Sequence, residues 1–377
     1  MNETNLRQRL IQLTRDLVLI ESTENRAEER QRCFQLVRNH LEELPAIEIK
    51  ILEKNGYESM LALPVGIERP EILLCGHLDV VHHTEPDSYR SEVHDGKIYG
   101  PGTGDMKGQL AIMIELIRLL GNRYPGLSVG MAITSDEERG GENGVRFLLE
   151  EAGLSCGEAI IPDGGSINRI IVQEKGIIHL ALESNGVSAH AARPWLGKNA
   201  LEILAENLAA IKEHFAKDAP ARVDVADVST HWFNTCSMTV MQTSNDSPNR
   251  IPDNASATLD IRFIPPSSSV EILQDIDAIL SPSVRAEIIV SAEPTHLAPD
   301  SDFLKITEEV TGLPAVLERA SGGSDGRFFS ALGIPVLLSG PRVGNLHGRD
   351  EWIEINSMIE YFNICQQYIV NKLINLS

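Results

Sequence analysis

This 377-residue sequence contains few cysteines. Its five cysteines are odd in number and never occur in a CxxC spacing: Cys33, Cys75, Cys156, Cys236 and Cys365. This scarcity argues against a disulfide framework and against a zinc site made of thiolates. Isolated, reduced thiols are typical of a cytoplasmic protein, and we expect that location.

The sequence also lacks long apolar stretches. No run of about 18 apolar residues occurs, the length that a membrane-spanning helix requires. The first residues, MNETNLRQRLIQLTRDLVLIES, contain Arg and Asp where a signal peptide would have its apolar segment. We therefore expect no signal peptide, no membrane span and no membrane partner.

Positive charge is scarce as well. The sequence has 33 Lys and Arg against 54 Asp and Glu, which gives a formal net charge of -21. Nucleic-acid binding relies on clustered Lys and Arg, so this composition argues against a nucleic-acid partner. An acidic surface favours solubility and attracts cations. With 42% hydrophobic and 23% charged residues, the composition is that of a globular protein.

The order of the predicted elements indicates two domains. Predicted strands alternate with helices up to about residue 176 and again from about 294, which is typical of a largely parallel sheet with helices on both faces. Between them the order is strand, helix, strand, strand, helix, strand, as in a ferredoxin-like unit. We therefore predict an α/β fold: a domain with a mostly parallel central sheet (1–176 and 294–377) and an inserted ferredoxin-like α+β domain (177–293).

The first chemical motif follows the predicted strand 71–76, in the sequence CGHLDVV. His77 and Asp79 are two residues apart, so on an extended strand their side chains point to the same face. A metal-bound imidazole commonly donates its second N–H group to a carboxylate, which fixes the tautomer. His77 as a metal ligand oriented by Asp79 fits this pattern. A strand-end histidine beside a surface aspartate is the plain alternative.

Asp105 lies in the glycine-rich stretch GPGTGDMKG, before a strongly apolar helix predicted at 109–120. This stretch is not a Walker A loop, because Lys107 is followed by Gly108 rather than by Ser or Thr. The two oxygens of a carboxylate can each bind one cation, so a carboxylate at such a loop can bridge two metal ions. As an isolated residue, Asp105 could equally be a helix N-cap.

Two adjacent glutamates, Glu137 and Glu138, follow the predicted strand 127–134 in the sequence ITSDEE. Ligand sites of α/β proteins lie at this carboxyl end of parallel strands. Neighbouring carboxylates repel each other unless cations or solvent separate them. One division of labour is that Glu138 binds metal while Glu137 remains free as a general base. A solvated acidic turn is the alternative.

Asp163 and His347 complete the set of candidate ligands. Asp163 follows the predicted strand 158–161 in IPDGG, and His347 lies in the loop PRVGNLHG after the predicted strand 334–338. Potential ligands at several strand ends of one domain indicate a carboxylate-rich site for two divalent metal ions. Such a site in turn indicates hydrolysis.

Taken together, these motifs resemble the M20 family of zinc-dependent metallopeptidases and amidohydrolases. The resemblance rests on GHLDVV, GPGTGDMKG, ITSDEE, the Asp163 segment and the late His347, and it covers essentially the whole chain. It implies that 1–176 and 294–377 form the catalytic domain. It also implies that 177–293 is a lid through which two chains form a homodimer.

The resemblance also implies a role for each residue of the motifs. The implied ligands are His77 and Asp163 for one zinc ion, Glu138 and His347 for the other, and Asp105 for both. Cobalt or manganese could substitute for zinc. Asp79 would orient His77, Glu137 would be the catalytic base, and the Asp105–Met106 peptide bond would be cis.

Further segments resemble the desuccinylase and deacetylase branch. NGVSAHAARPWLGKNA is similar to the stretch whose histidine, here His190, reaches the partner's active site and stabilises the oxyanion. SPNRIPDNASATLDIRF is similar to the segment that supplies an Asn and an Arg to the substrate, here Asn249 and Arg262. SGGSDGRF contains Arg327, a third candidate for the substrate carboxylate. This segment is similar to TSDGRF of the desuccinylase, but Gly323 replaces the Thr, which leaves the acyl group open.

The implied reaction is hydrolysis of an amide bond in a small anionic N-acyl amino acid or peptide, by metal-activated water with a Glu base. Carboxypeptidase or dipeptidase action would use the same machinery. A serine hydrolase is an alternative from another class, because the segment around Ser324, GGSDG, satisfies G-x-S-x-G. It would leave the acidic motifs unexplained. A catalytically inactive binding protein is a further alternative, although all five ligands and Glu137 are present.

Overall fold

The computed structural model describes residues 3–44, 46–84, 88–217, 219–221, 223–224 and 228–375. The chain divides into two compact units. Unit 1 comprises Met1–Val172, His296–Ala320 and Ser324–Ser377, and unit 2 comprises Gln173–Thr295 and Ser321–Gly323. The assignment of 177–293 as a lid and dimerisation domain stays a prediction.

Helices and strands alternate along much of the chain. The α-helices in the described residues are α1 Glu3–Val18, α2 Ala27–Leu41, α3 Gly108–Arg123, α4 Val145–Glu150, α5 Ala200–Ala216, α6 Ser269–Ile279, α7 Ser301–Thr311, α8 Gly326–Ala331 and α9 Ile355–Val370. The strands are β1 Ile47–Lys54, β2 Tyr57–Pro64, β3 Ile72–His77, β4 Glu92–His94, β5 Lys97–Tyr99, β6 Val129–Thr134, β7 Glu158–Ile161, β8 Arg169–Glu174, β9 Gly176–Asn185, β10 Ala189–His190, β11 Thr235–Gln242, β12 Arg250–Ile251, β13 Asn254–Phe263, β14 Val284–Ala292, β15 Thr295–His296, β16 Val316–Ala320, β17 Val336–Leu338, β18 Val343–Gly344 and β19 Trp352–Glu354.

The large sheet has nine strands in the order β1-β2-β6-β3-β7-β17-β8-β15, and β16 also pairs with β8. Its centre is parallel, because β3 runs parallel to β6 and β7, and β17 runs parallel to β7. β1 and β2 form an antiparallel hairpin. Its two turn residues, Asn55 and Gly56, have φ angles of 52° and 83°, as a tight hairpin turn requires. The predicted α/β fold with a mostly parallel central sheet is confirmed.

Side chains of the central strands pack alternately on the two faces of this sheet. Along β3, Ile72 and Leu74 join a hydrophobic core that includes residues of α1, α2, α3 and α9. Leu73 and Cys75 join a second core that includes residues of α4 and α8. Burial on both faces explains why the sequence of β3 is continuously apolar instead of alternating.

The C-terminal segment is tied to the start of β7 by a polar cluster. The Tyr368 hydroxyl lies 2.6 Å from Glu158 Oε2 and 2.9 Å from Asp300 Oδ2. Lys372 Nζ donates to Glu158 Oε2 at 2.8 Å and to Asp300 Oδ2 at 3.1 Å. Because Glu158 is buried, Lys372 supplies the positive charge that its carboxylate needs inside the protein.

Unit 2 contains the sequence of elements β9-α5-β11-β13-α6-β14. Its four-stranded sheet has the order β11-β13-β9-β14, and the pairs that β13 makes with β9 and β11, and β14 with β9, are antiparallel. α5 and α6 cover the apolar side chains of this sheet. This arrangement is ferredoxin-like, as predicted.

Two features of the fold differ from the sequence-based expectation. The sequence predicts a C-terminal helix over 354–375, but this helix is regular only over Ile355–Val370 and continues as a wider turn at Asn371–Asn375. A further four-stranded sheet, β18-β19-β5-β4, was not predicted, because strands of two or three residues are too short to display a hydrophobic period. Among the described residues, no helix combines the length and the apolar character needed to cross a bilayer.

We expect Lys372→Met to destabilise the protein by about 1–2 kcal/mol, because it leaves the buried Glu158 carboxylate without a cation. Urea unfolding followed by circular dichroism measures this change in the free energy of unfolding. Lys305→Met, at an exposed position of α7, is the matched control and should change stability by less than about 0.5 kcal/mol. Equal stability of the two variants would contradict the role given to Lys372.

Candidate metal centre

Three of the predicted ligands follow neighbouring strands of the large sheet. His77 is the last residue of β3, Asp163 comes shortly after β7, and Glu138 lies in the 3₁₀ turn Glu137–Arg139 after β6. His77 is in register with Thr134, the last residue of β6. Because the carboxyl ends of parallel strands meet at the same edge of a sheet, the three side chains converge there.

The first group of candidate ligands consists of His77, Asp105 and Asp163. His77 Nε2 lies 3.0 Å from Asp105 Oδ1 and 3.9 Å from Asp163 Oδ2. The His77 side chain is buried, whereas both carboxylates retain some exposure. The structure therefore brings together side chains that are at least 28 positions apart in the chain. They come from β3, from the glycine-rich loop and from the end of β7.

The second group consists of Asp105, Glu138 and His347. His347 Nε2 lies 3.0 Å from Asp105 Oδ2 and 3.3 Å from Glu138 Oε1. Asp105 thus directs one oxygen to each group, as a ligand shared by two ions would. His347 itself has a φ angle of 59°, a conformation that is uncommon for residues other than glycine and that often accompanies function.

Asp79 contacts His77 and also the turn that carries the two glutamates. His77 Nδ1 lies 3.1 Å from the backbone oxygen of Asp79 and 3.5 Å from its Oδ1. The carboxylate of Asp79 also accepts backbone N–H groups, from Glu137 at 3.3 Å and from Glu138 at 3.0 Å. Asp79 therefore holds both the imidazole and the turn that carries the two glutamates. The second contact had no sequence signal, because any residue type supplies a backbone N–H.

The glycine-rich loop is held by a residue that the sequence analysis missed. The Glu351 carboxylate accepts the backbone N–H groups of Gly102, Gly104 and Asp105. The Asp105–Met106 peptide bond in this loop is cis, which confirms the expectation. Glu351 follows His347 by four residues, but its partners lie more than 240 residues away in the sequence, so the pattern gave no hint of the contact.

The ligand set concentrates negative charge in a largely buried space. Burial and the neighbouring charge of Asp105 raise the pKa of Asp163 to about 8. Burial alone would raise the pKa of Asp105 too, but hydrogen bonds from His347 and His77 outweigh it and lower that pKa. Burial raises the pKa of Glu137 well above its usual value. Carboxylates this close stay ionised only beside cations, and a set of imidazole nitrogens and carboxylate oxygens suits divalent metal ions such as zinc.

Two further buried carboxylates, missed by the sequence analysis, lie around the loop after Glu138. Burial raises the pKa of Asp325 to about 7 and that of Asp136 to about 6. A Cβ atom added at Gly141 would lie 2.3 Å from Asp325 Oδ1, so only glycine fits against this carboxylate. Arg327, next but one to Asp325, donates through Nη2 to the backbone oxygen of Gly140 at 2.7 Å. Arg327 therefore lies against the loop that follows the two glutamates.

Ser324 does not have the environment of a nucleophile. Its side chain is buried, and its Oγ accepts the backbone N–H of Gly326 at 3.2 Å. His347 is the only histidine after Ser324 in the sequence. Its Nε2 faces Asp105 and Glu138 instead. The serine-hydrolase alternative therefore lacks its base.

His190 and Asn249 lie in unit 2 and are close to each other. β10 pairs with β12, with His190 opposite Arg250, and the Ala191 N–H donates to the backbone oxygen of Asn249 at 2.8 Å. The His190 side chain is exposed, and its Nδ1 accepts the N–H of Ala192 at 3.1 Å. This leaves Nε2 as the ring nitrogen that could contact a ligand.

Arg262 lies on β13, also in unit 2, in a bidentate ion pair with Asp260. Its Nε and Nη2 donate to the two carboxylate oxygens at 2.8 and 3.0 Å. His179 Nε2 lies 3.0 Å from the same carboxylate, at Oδ2. Asp260 and His179 were not singled out from the sequence, although Asp260 precedes Arg262 by two residues and so shares its face of the strand.

Most of the chain matches one peptidase family. The family model "Peptidase family M20/M25/M40" matches residues 73–371. A succinyl-diaminopimelate desuccinylase from Wolinella succinogenes is 28% identical over 339 residues, which covers 85% of this chain and 89% of that protein. The enzyme of the same name from Pseudoalteromonas translucida is 27% identical over 331 residues, 82% of this chain and 85% of that protein.

Solved structures show the same fold. An M20 family metallo-carboxypeptidase from Sulfolobus solfataricus aligns with a TM-score of 0.77 at 17% identity, over 98% of this chain and 99% of that one. A tripeptidase from Staphylococcus aureus aligns with a TM-score of 0.73 at 20% identity, over 96% of this chain and 98% of that one. The resemblance noted in the sequence is confirmed: the chain belongs to peptidase family M20/M25/M40 and is a metal-dependent hydrolase of amide or peptide bonds.

Proposed function

We propose that this protein is a two-metal deacylase that cleaves the amide bond of a small anionic N-acyl amino acid. The observation that supports this most directly is the position of Asp105, whose Oδ1 faces His77 and whose Oδ2 faces His347. A carboxylate between two ligand groups is the arrangement expected of a bridge between two ions. The desuccinylase names of the relatives support the deacylase assignment.

The residues present fit a pair of divalent ions. In the proposal, one ion binds to His77 and Asp163, the other to Glu138 and His347, and Asp105 binds both. Bound ions would lower the pKa of a water molecule and polarise the scissile carbonyl. Zinc suits two imidazoles and three carboxylates, and cobalt or manganese can replace it.

Glu137 is the proposed general base. It shares its turn with Glu138 but belongs to neither ligand group, so its carboxylate is available to exchange a proton. Asp79 fixes the backbone of this turn and thereby the position of Glu137. Glu137 would take a proton from the attacking water and deliver it to the leaving nitrogen.

The proposed substrate carries a carboxylate, and the candidates for binding it are Arg262, Asn249 and Arg327. Nε and Nη2 of Arg262 already face Asp260, so the substrate would contact Nη1. His190 would donate a hydrogen bond from Nε2 to the developing oxyanion. In the proposal it does so in the active site of the partner chain.

We also propose that two chains form a homodimer through unit 2, the predicted lid. β11 is at the edge of its sheet, and a groove of about 620 Å³ lies between it and α5. The groove is lined by Ala205, Leu208, Ala209, Lys212, Cys236, Ser237, Met238, Met241 and Leu259. An apolar edge strand whose outer side pairs with no other strand in the described part of the chain is suited to a second copy of the same edge. Free thiols at all five cysteines support a cytoplasmic location.

Removal of metal should abolish activity, and zinc or cobalt should restore it. The measurement is hydrolysis of N-succinyl-diaminopimelate, N-acetylornithine, N-acetylmethionine and several dipeptides by chelator-treated and reconstituted protein. We expect the N-acyl amino acids to be the better substrates. Turnover of dipeptides alone would favour the carboxypeptidase or dipeptidase alternative. Activity that chelation leaves unchanged would contradict the proposal.

Glu137→Gln should lower kcat by about 10²- to 10⁴-fold, because the amide cannot accept the proton of the attacking water. The variant should still bind two metal ions per chain, as measured by equilibrium dialysis and elemental analysis. Glu142→Gln, which changes a nearby half-exposed glutamate paired with Arg146, is the matched control. A Glu137→Gln enzyme as active as this control would exclude Glu137 as the base.

Met238→Glu should convert the dimer into a monomer, because it places a charge on each side of an apolar contact. Sedimentation velocity measures the change. Ile288→Glu is the matched control, since Ile288 is similarly exposed but lies on β14, at the other edge of the sheet. A monomeric wild-type protein, or a Met238→Glu variant that remains dimeric, would disprove the proposed interface.

A further inference from the structure

Glu351 is a buried carboxylate whose partners are all on one loop. Only 1% of the residue is exposed. Its Oε1 accepts the N–H groups of Gly104 at 2.7 Å and Asp105 at 2.9 Å, and its Oε2 accepts that of Gly102 at 3.1 Å. These three contacts hold the loop against one buried side chain.

The loop can pack this closely against its neighbours only because it contains glycines. Gly102 has a φ angle of 77°, and a Cβ atom there would lie 2.5 Å from Val80 Cγ1. A Cβ atom at Gly104 would lie 2.8 Å from Leu346 Cδ2 and 2.9 Å from Val343 Cβ. The segment before Glu351 therefore packs directly against the loop that its carboxylate binds.

The same short segment carries His347. Glu351 also accepts the Gly100 N–H with its backbone oxygen at 2.9 Å, so it contacts both the start and the end of the loop. His347, four residues earlier, reaches the side chain of Asp105 from the same segment. One stretch of five residues thus contacts the side chain of Asp105 through His347 and its backbone N–H through Glu351.

We propose that Glu351 is a positioning residue that fixes the backbone of Asp105 so that both carboxylate oxygens can bind metal at once. The inference rests on the proposed two-metal site. Glu351 contacts the backbone of Asp105 and not its carboxylate, and it acts through the three N–H groups of the loop. A shared ligand must satisfy the geometry of two ions together, so a small rotation of Asp105 weakens both sites. Groups that orient metal ligands typically contribute about 10- to 100-fold to metal affinity.

Glu351→Gln tests this role with little change in volume. Its amide keeps one acceptor oxygen, but its NH₂ group would face at least one N–H of the loop. We expect the Kd for cobalt to rise by at least about tenfold at both sites, with altered visible absorption bands of the bound cobalt. We also expect the increase in Tm on metal addition to shrink, since that increase depends on metal affinity rather than on packing.

Glu354→Gln is the matched control, because Glu354 lies three residues away and pairs with Arg342 instead of the loop. It should bind cobalt like the wild type. Unchanged affinities and spectra in a folded Glu351→Gln variant would overturn the inference while leaving the two-metal site intact. A wild-type protein that binds no metal would instead disprove the proposed function.

Two further experiments test the inference if Glu351→Gln does not fold: metal binding by Glu351→Asp and deuterium exchange in the wild type. The aspartate retains the charge but is one methylene too short to reach the three N–H groups, so metal affinity should fall again. In the metal-free wild type, the amides of Gly104 and Asp105 should exchange slowly with deuterium. Fast exchange of these two amides would overturn the inference.

Discussion

The negative charge of Asp105 is the constraint on which the rest of unit 1 depends. Two histidines, one 28 and one 242 residues away in the sequence, lie within 3.0 Å of its two oxygens and lower its pKa. A third distant residue, Glu351, binds its backbone. These contacts form only when the first third and the last tenth of the chain are folded together. The metal centre and the fold of unit 1 therefore depend on the same long-range contacts.

The parallel centre of the large sheet positions three of the candidate ligands. β3, β6 and β7 are adjacent and run in the same direction, so His77, the glutamate turn and Asp163 all arrive at one edge. Both faces of the sheet are buried, and ligand sites of α/β proteins lie at the carboxyl ends of the strands. The acidic site is therefore built where the fold already provides space and fixed backbone.

The sequence predicted the fold class and the candidate ligands for the same reason: both can be recognised from residue types and their spacing. Apolar runs mark the central strands, and His77, Glu138 and Asp163 stand at their ends. The contacts of Glu351 and the second contact of Asp79 could not be predicted, because their partners are backbone N–H groups that carry no sequence signal. The short strands of the sheet β18-β19-β5-β4 were not predicted, because two or three residues define no period.

In the proposed function, the pairing of Arg262 with Asp260 limits how this chain can recognise an anionic substrate. Asp260 compensates the charge of Arg262, and the net charge of -21 gives no long-range attraction for an anion. The bidentate pair does fix the plane of the guanidinium, so the N–H groups of Nη1 point in a set direction without a further loss of side-chain entropy. Arg262 would then contribute orientation more than affinity. Most of the attraction for the substrate would come from the metal ions themselves, because two divalent ions supply more positive charge than a compensated arginine.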